Sequence, residues 1–216
     1  KSRWAEICPE YDPFKYTSFP LHAAEQTSEM ERFLHERLAA DASAGRLSRL
    51  PPILTFQSAA DATVLVEDTV QRLYARLPRN GSELVLFDVN RLGAFREFFR
   101  SPPHDLVARL EAFTLPGCTV TVVTNRDQGS REVVARTRPE GGGPARVEDL
   151  GVQWPTGVYS LSHLAVPFRP DDPLYGTDPP HEGHRYHLGN LVLRGERDLL
   201  TIPVDALMRL RCNPFF

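Results

Sequence analysis

His163 stands where a histidine can carry out proton transfer. It directly follows the segment 158–162, which begins with a short apolar run. The next ten residues contain three prolines, Pro167, Pro170 and Pro173. Because proline excludes regular structure, the pattern predicts a strand end that leads into a long irregular loop. Imidazole has an unperturbed pKa near 6.5, which suits a general base at neutral pH. His163 is therefore a candidate base, and the alternative is an ordinary surface-loop histidine.

Asp61 occupies a comparable position earlier in the chain. The stretch from Leu50 to Val64 predicts a buried strand, a tight turn of small residues, an aspartate and the start of a helix. Apolar residues then recur at helical spacing as far as Leu77. The pattern places a carboxylate in the loop between a strand and a helix, where a rigid scaffold can position it.

Three segments carry a family resemblance. They are Pro-Ile-Leu-Thr-Phe-Gln-Ser-Ala-Ala-Asp-Ala-Thr-Val (52–64), Ser-His-Leu-Ala-Val-Pro-Phe-Arg-Pro-Asp-Asp-Pro-Leu-Tyr-Gly (162–176) and Pro-Glu-Tyr-Asp-Pro-Phe-Lys-Tyr (9–16). Together they resemble the α/β-hydrolase superfamily, in a bacterial esterase or lysophospholipase-like branch. In that family the nucleophile comes first, then the acid, then the histidine. The resemblance implies that Asp61 and His163 belong to a catalytic triad acting on a hydrophobic ester, with no cofactor.

The nucleophile of such a triad is missing from these residues. A serine hydrolase of this family carries its serine in a Gly-x-Ser-x-Gly elbow, and the 216 residues contain no such pentapeptide. We therefore interpret the chain as the C-terminal part of a longer protein whose upstream part holds the serine, and we expect these residues alone to be inactive. The alternative is a non-catalytic binding or structural module on a hydrolase-like scaffold.

Two other groups of residues compete with this interpretation. Asp88 is the rival triad acid, but it falls inside the apolar run 83–89 and not beyond a strand end. His181, His184 and His187 have a spacing that could suit a metal. Because Gly183 and nearby prolines argue against the helix needed to align them, we expect a solvated loop and no metal site.

Composition excludes several classes of protein. The formal net charge of −3 and the pI of about 6.2 argue against a nucleic-acid-binding surface. No run of eighteen or more apolar residues occurs, which predicts no transmembrane segment. The three cysteines are far apart and odd in number, which favours free thiols and a cytoplasmic location.

The order of elements predicts an α/β fold. Residues 1–48 read as a lid-like segment followed by an amphipathic helix over 21–44, although a segment that merely covers the core is equally consistent. Residues 49–216 read as the C-terminal part of a doubly wound α/β-hydrolase sheet with a parallel βαβ unit. An insertion at about 91–156 separates its last strands, and it contains predicted strands over 118–124 and 132–137.

Overall fold

The chain forms two compact units, Lys1–Leu50 and Pro51–Phe216. A computed structural model describes residues 3–7, 18–59, 61, 64–92, 115–154, 169, 171–174, 192–193 and 208–209. The division lies two residues beyond the boundary placed at 48 from the sequence. The two units are described separately below.

The first unit consists of a short ladder and one long helix. Strand β1 (Trp4–Glu6) pairs antiparallel with β2 (Phe19–Pro20), and helix α1 (Leu21–Ser43) follows directly. The helix predicted over 21–44 is therefore confirmed, but its predicted apolar side contains no buried residue. Exposed ion pairs with i,i+4 spacing run along it, including Arg32 with Glu36 at 3.0 Å, and such pairs stabilise a helix by a few tenths of a kcal/mol each.

The second unit is built on a five-stranded sheet in the order β3-β4-β5-β6-β7. Its strands are β3 (Leu54–Ser58), β4 (Ser82–Phe87), β5 (Cys118–Asn125), β6 (Glu132–Arg138) and β7 (Arg146–Gln153). Strands β3, β4 and β5 are parallel, which confirms the parallel βαβ unit. Strands β6 and β7 continue the sheet in antiparallel fashion, and β5 and β6 confirm the strands predicted over 118–124 and 132–137.

Strand β4 lies in the middle of the core. Leu84 and Leu86 point to one face of the sheet and Val85 and Phe87 to the other, and all four are buried. On the second face, Val85 and Phe87 join an apolar cluster with Val123, Val133 and Trp154. A strand buried on both faces requires a continuous apolar sequence, which is the pattern that β4 has.

The helix between β3 and β4 is shorter than its sequence pattern predicts. The pattern runs from Val64 to Leu77, whereas α2 spans Val66–Arg72 and a separate 3₁₀ turn covers Tyr74–Arg76. The buried Tyr74 hydroxyl lies 2.7 Å from Thr55 Oγ1 and 2.8 Å from the Glu83 carbonyl oxygen. These tertiary contacts to two strands favour the tighter turn over a continued α-helix.

Strand β7 has no clear signal in the sequence. Its residues, Arg-Val-Glu-Asp-Leu-Gly-Val-Gln, show no regular alternation, and most of them are exposed. The strand exists because its backbone pairs with β6. The stretch at about 91–156, interpreted from the sequence as an insertion, therefore contributes three strands to the same sheet as β3 and β4.

A short ladder joins β8 (Val192–Leu193) and β9 (Met208–Arg209). In the part of the chain that the structure describes, none of the helices has the length and apolar content needed to cross a bilayer.

A candidate active site at the carboxyl edge of the sheet

Several buried polar residues of the second unit lie at the end of the sheet where the parallel strands terminate. The parallel strands β3, β4 and β5 end there, at Ser58, Phe87 and Asn125. Because β6 is antiparallel to β5 and β7 to β6, β7 also ends at this edge, and Trp154 follows it. In open α/β sheets, ligands bind outside the carboxyl ends of the strands. We call this region the carboxyl edge.

Asp61 lies at the carboxyl edge, three residues beyond the end of β3. Its backbone N–H donates to the Ser58 carbonyl oxygen over 3.1 Å, which closes a tight turn. The Val64 N–H donates to Asp61 Oδ1 over 3.0 Å. The side chain is half-buried. The predicted position of Asp61 in a loop between strand and helix is therefore confirmed.

Gln57 supports the same turn from inside the sheet. Its side chain is buried, and Nε2 donates to the Val64 carbonyl oxygen over 2.6 Å. Its Oε1 is also buried, and it has no hydrogen-bond partner in the described part of the chain. Sequence reasoning overlooked Gln57, because the apolar residues Leu54 and Phe56 alternate with it in β3 and yet are exposed, whereas Gln57 is buried.

Asp88 is also at the carboxyl edge, but in a different environment. Strand β4 ends at Phe87, so the sequence argument that Asp88 lies inside the strand is wrong. Asp88 is fully buried and pairs with Arg91, whose Nε and Nη2 donate to the two carboxylate oxygens. Thr124 Oγ1 donates to Oδ2 over 2.7 Å. Both oxygens of Asp88 therefore have partners within the protein, and Asp88 is committed to holding β4 and β5 together.

The Arg91 guanidinium contains a nitrogen that is not used in the pair with Asp88. Its side chain is 9% exposed, and Nη1 has no hydrogen-bond partner among the described residues. Its backbone N–H donates to Asn125 Oδ1 over 2.7 Å. The buried Asn125 amide in turn donates to Asn90 Oδ1 over 3.1 Å and to the Ser130 carbonyl oxygen over 2.8 Å. One asparagine thus fastens the loop after β4 to the β5–β6 turn.

The same turn holds the chain where it leaves β7. The Trp154 N–H donates to the Arg131 carbonyl oxygen over 2.9 Å, and Arg131 Nε donates to the Trp154 carbonyl oxygen over 2.8 Å. The Trp154 side chain is completely buried. The segment that leads to His163 therefore starts from a fixed point at the carboxyl edge.

His163 lies outside the described residues, as do His181, His184 and His187. The structure therefore describes one member of the predicted acid–histidine pair and gives no distance between the two. Across the described ranges, no group of three or more His, Cys, Asp or Glu residues is arranged to hold a metal ion. Comparison with known protein families, with curated proteins and with solved structures found no match for this chain.

Proposed function

We propose that this chain supplies the acid and the base of a serine carboxylic-ester hydrolase of the α/β-hydrolase type. In this proposal His163 removes the proton from a serine that lies upstream in the same protein, and the serine oxygen attacks the ester carbonyl. His163 then delivers the proton to the leaving alcohol, and water releases the acid from the acyl-enzyme in the same way. Asp61 accepts a hydrogen bond from the other imidazole nitrogen and stabilises the imidazolium.

The observation that carries the proposal is the contrast between Asp61 and Asp88. Both carboxylates follow parallel strands at the carboxyl edge. Asp88 is fully buried against Arg91 and Thr124, so an imidazole would have to displace those partners. Asp61 is half-buried and is oriented by the Val64 N–H. This contrast favours Asp61 as the triad acid.

The length of the segment from Trp154 to His163 also supports the proposal. His163 is nine residues beyond Trp154, and nine extended residues span at most about 30 Å. Strands β7 and β3 are four strand spacings apart, which is about 19 Å. Since Trp154 and Asp61 are both at the carboxyl edge, the segment from Trp154 to His163 is long enough for His163 to reach Asp61. The family resemblance adds the substrate class, a hydrophobic ester such as a lysophospholipid.

The test uses the full-length protein that contains this chain, with its candidate elbow serine identified. Hydrolysis of short-chain and medium-chain p-nitrophenyl esters is measured for His163→Ala and Asp61→Asn. Loss of the base, or of the orienting carboxylate, should lower kcat by about 10³-fold to 10⁴-fold. Asp127→Asn is the matched control, because Asp127 is an exposed aspartate in the β5–β6 turn at the same edge, and it should keep full activity.

The Asp88→Asn variant tests whether Asp88, rather than Asp61, is the triad acid. The substitution leaves Arg91 buried without its counter-charge, so it should destabilise the fold by about 3–5 kcal/mol. Turnover per folded molecule should nevertheless stay close to wild type. If His163→Ala keeps full activity, or if the parent protein has neither an elbow serine nor esterase activity, the proposal is wrong and the chain is a binding or structural module.

A further inference from the structure

We propose that Gln57 is a positioning residue for Asp61, and this inference rests on the proposed function. The link is a chain of two hydrogen bonds through one residue. Gln57 Nε2 donates to the Val64 carbonyl oxygen over 2.6 Å, and the Val64 N–H donates to Asp61 Oδ1 over 3.0 Å. Gln57 therefore holds the peptide group that orients the carboxylate.

Burial of the Gln57 amide is unfavourable in free energy unless the amide forms a compensating interaction. The residue is 5% exposed, and its register partner on β4 is the buried Leu86. Burying an amide among apolar side chains costs free energy that its hydrogen bonds must offset. An apolar residue at position 57 would avoid that cost and would serve equally well in a merely structural strand.

Val64 is not held by packing of its own side chain. That side chain is 55% exposed, although it lies just before α2. The clamp from Gln57 is thus the contact that fixes the Val64 backbone from the core side. Without it the Val64 peptide group loses its contact with β3, so the Val64 N–H no longer holds Asp61 Oδ1 in the same position.

The effect on catalysis follows from how the acid acts. A well-placed carboxylate stabilises the imidazolium form of His163 and so raises the pKa of that histidine. If Asp61 is displaced, this stabilisation weakens, and the pKa of His163 falls. Misplacement of a catalytic group by about 1 Å can lower the rate by about 10²-fold.

The experiment is a double-mutant cycle between Gln57→Met and Asp61→Asn in the full-length protein. Gln57→Met keeps the volume of the side chain and removes the donor. We expect kcat to fall by about 10-fold to 100-fold, and the acid limb of the pH–kcat/KM profile to move to lower pH. The double variant should be no slower than Asp61→Asn alone, because Gln57 acts through Asp61.

Three further variants distinguish the proposed role from a simple loss of folding. Val64→Pro removes the N–H that donates to Asp61, at an exposed position, whereas Val64→Ala keeps it. Val64→Pro should reproduce the Gln57→Met profile, and Val64→Ala should resemble wild type. Thr55→Val, two residues earlier on the same face of β3, removes the oxygen near Tyr74. It should lower the melting temperature and leave the pH profile unchanged.

The outcomes are distinguishable from those of the proposed function. If Asp61→Asn is inactive but Gln57→Met has the wild-type pH profile, or if its effect multiplies with that of Asp61→Asn, the inference about Gln57 is wrong and the triad stands. If Asp61→Asn retains full activity, the proposed function fails, and the role of Gln57 fails with it.

Discussion

At the scale of single residues, burial decides what each titratable group can do. Asp61 and Asp88 are the same residue type at the same edge of the sheet. Asp88 is fully buried against Arg91, so the pair is structural, while Asp61 is partly exposed to solvent. A buried ion pair that loses one partner leaves an uncompensated charge. The environment, and not the residue type, therefore separates the two roles.

Cys118 gives a residue-scale prediction on pH. Burial, with a smaller contribution from the Glu140 carboxylate, raises the pKa of the Cys118 thiol from 9.0 to about 11. Because the folded state holds this proton more tightly than the unfolded state does, the resulting stability is present below about pH 9 and is lost as the pH rises towards 11. Urea unfolding of wild type should lose about 2 kcal/mol more than Cys118→Ala across this range.

The variant serves as the reference for groups that titrate there independently of Cys118. Tyr74 also titrates late, since burial and, to a smaller extent, Cys118 raise the pKa of its hydroxyl, and that smaller contribution is removed together with Cys118. Cys118→Ala should be less stable at neutral pH because it leaves a small cavity, so only the change with pH is compared. Parallel stability curves for the two proteins would contradict the assignment.

At the scale of elements, two connections between strands lie in close backbone contact. Gly117 directly precedes β5, and a Cβ atom at this position would lie 2.2 Å from the Leu77 carbonyl oxygen. The chain leaving the 3₁₀ turn after α2 therefore passes directly against the chain entering β5. Only glycine permits this approach, because the neighbouring atom is backbone and cannot move aside cheaply.

Gly117→Ala should consequently destabilise the second unit. Overpacking of a close contact costs about 1–3 kcal/mol, and a backbone neighbour puts the expected loss at the upper end. Gly129→Ala is the matched control, since its Cβ would lie 3.3 Å from the exposed Asp127 Oδ1. Thermal unfolding of both variants measures the effect, and equal melting temperatures would show that the approach is looser than described.

At the scale of the whole molecule, the two units differ in how their backbones are protected. Strand β4 pairs with β3 on one side and β5 on the other, and both of its faces are buried. Helix α1 contains no buried residue. Amide hydrogens exchange slowly where opening requires disruption of the core, and quickly where local opening suffices.

Hydrogen exchange followed by mass spectrometry should therefore show a large difference between the units. Peptides covering β4 and β5 should be protected at least 10³-fold more than peptides covering α1, because a difference of about 4 kcal/mol in opening free energy corresponds to that factor. Comparable protection of α1 and β4 would mean that α1 is stabilised by contacts equivalent to those of the sheet.

Much of the second unit could be predicted from local pattern. The apolar run of β4 and the strand patterns over 118–124 and 132–137 each identify a strand without reference to the rest of the chain. The position of Asp61 was predictable for the same reason, since a strand, small residues and a helix start are adjacent in sequence. Strand β7 was not predictable, because it depends on β6 for its pairing and has little apolar pattern of its own.

The sequence by itself determined the α/β class, the parallel unit and the presence of a carboxylate after β3. It did not determine that Asp88 pairs with Arg91 and Thr124, because these residues meet only when β4 and β5 are side by side. Nor did it reveal that Gln57 reaches Val64 across the turn. Such contacts join residues from different strands and loops, so only the tertiary structure decided them.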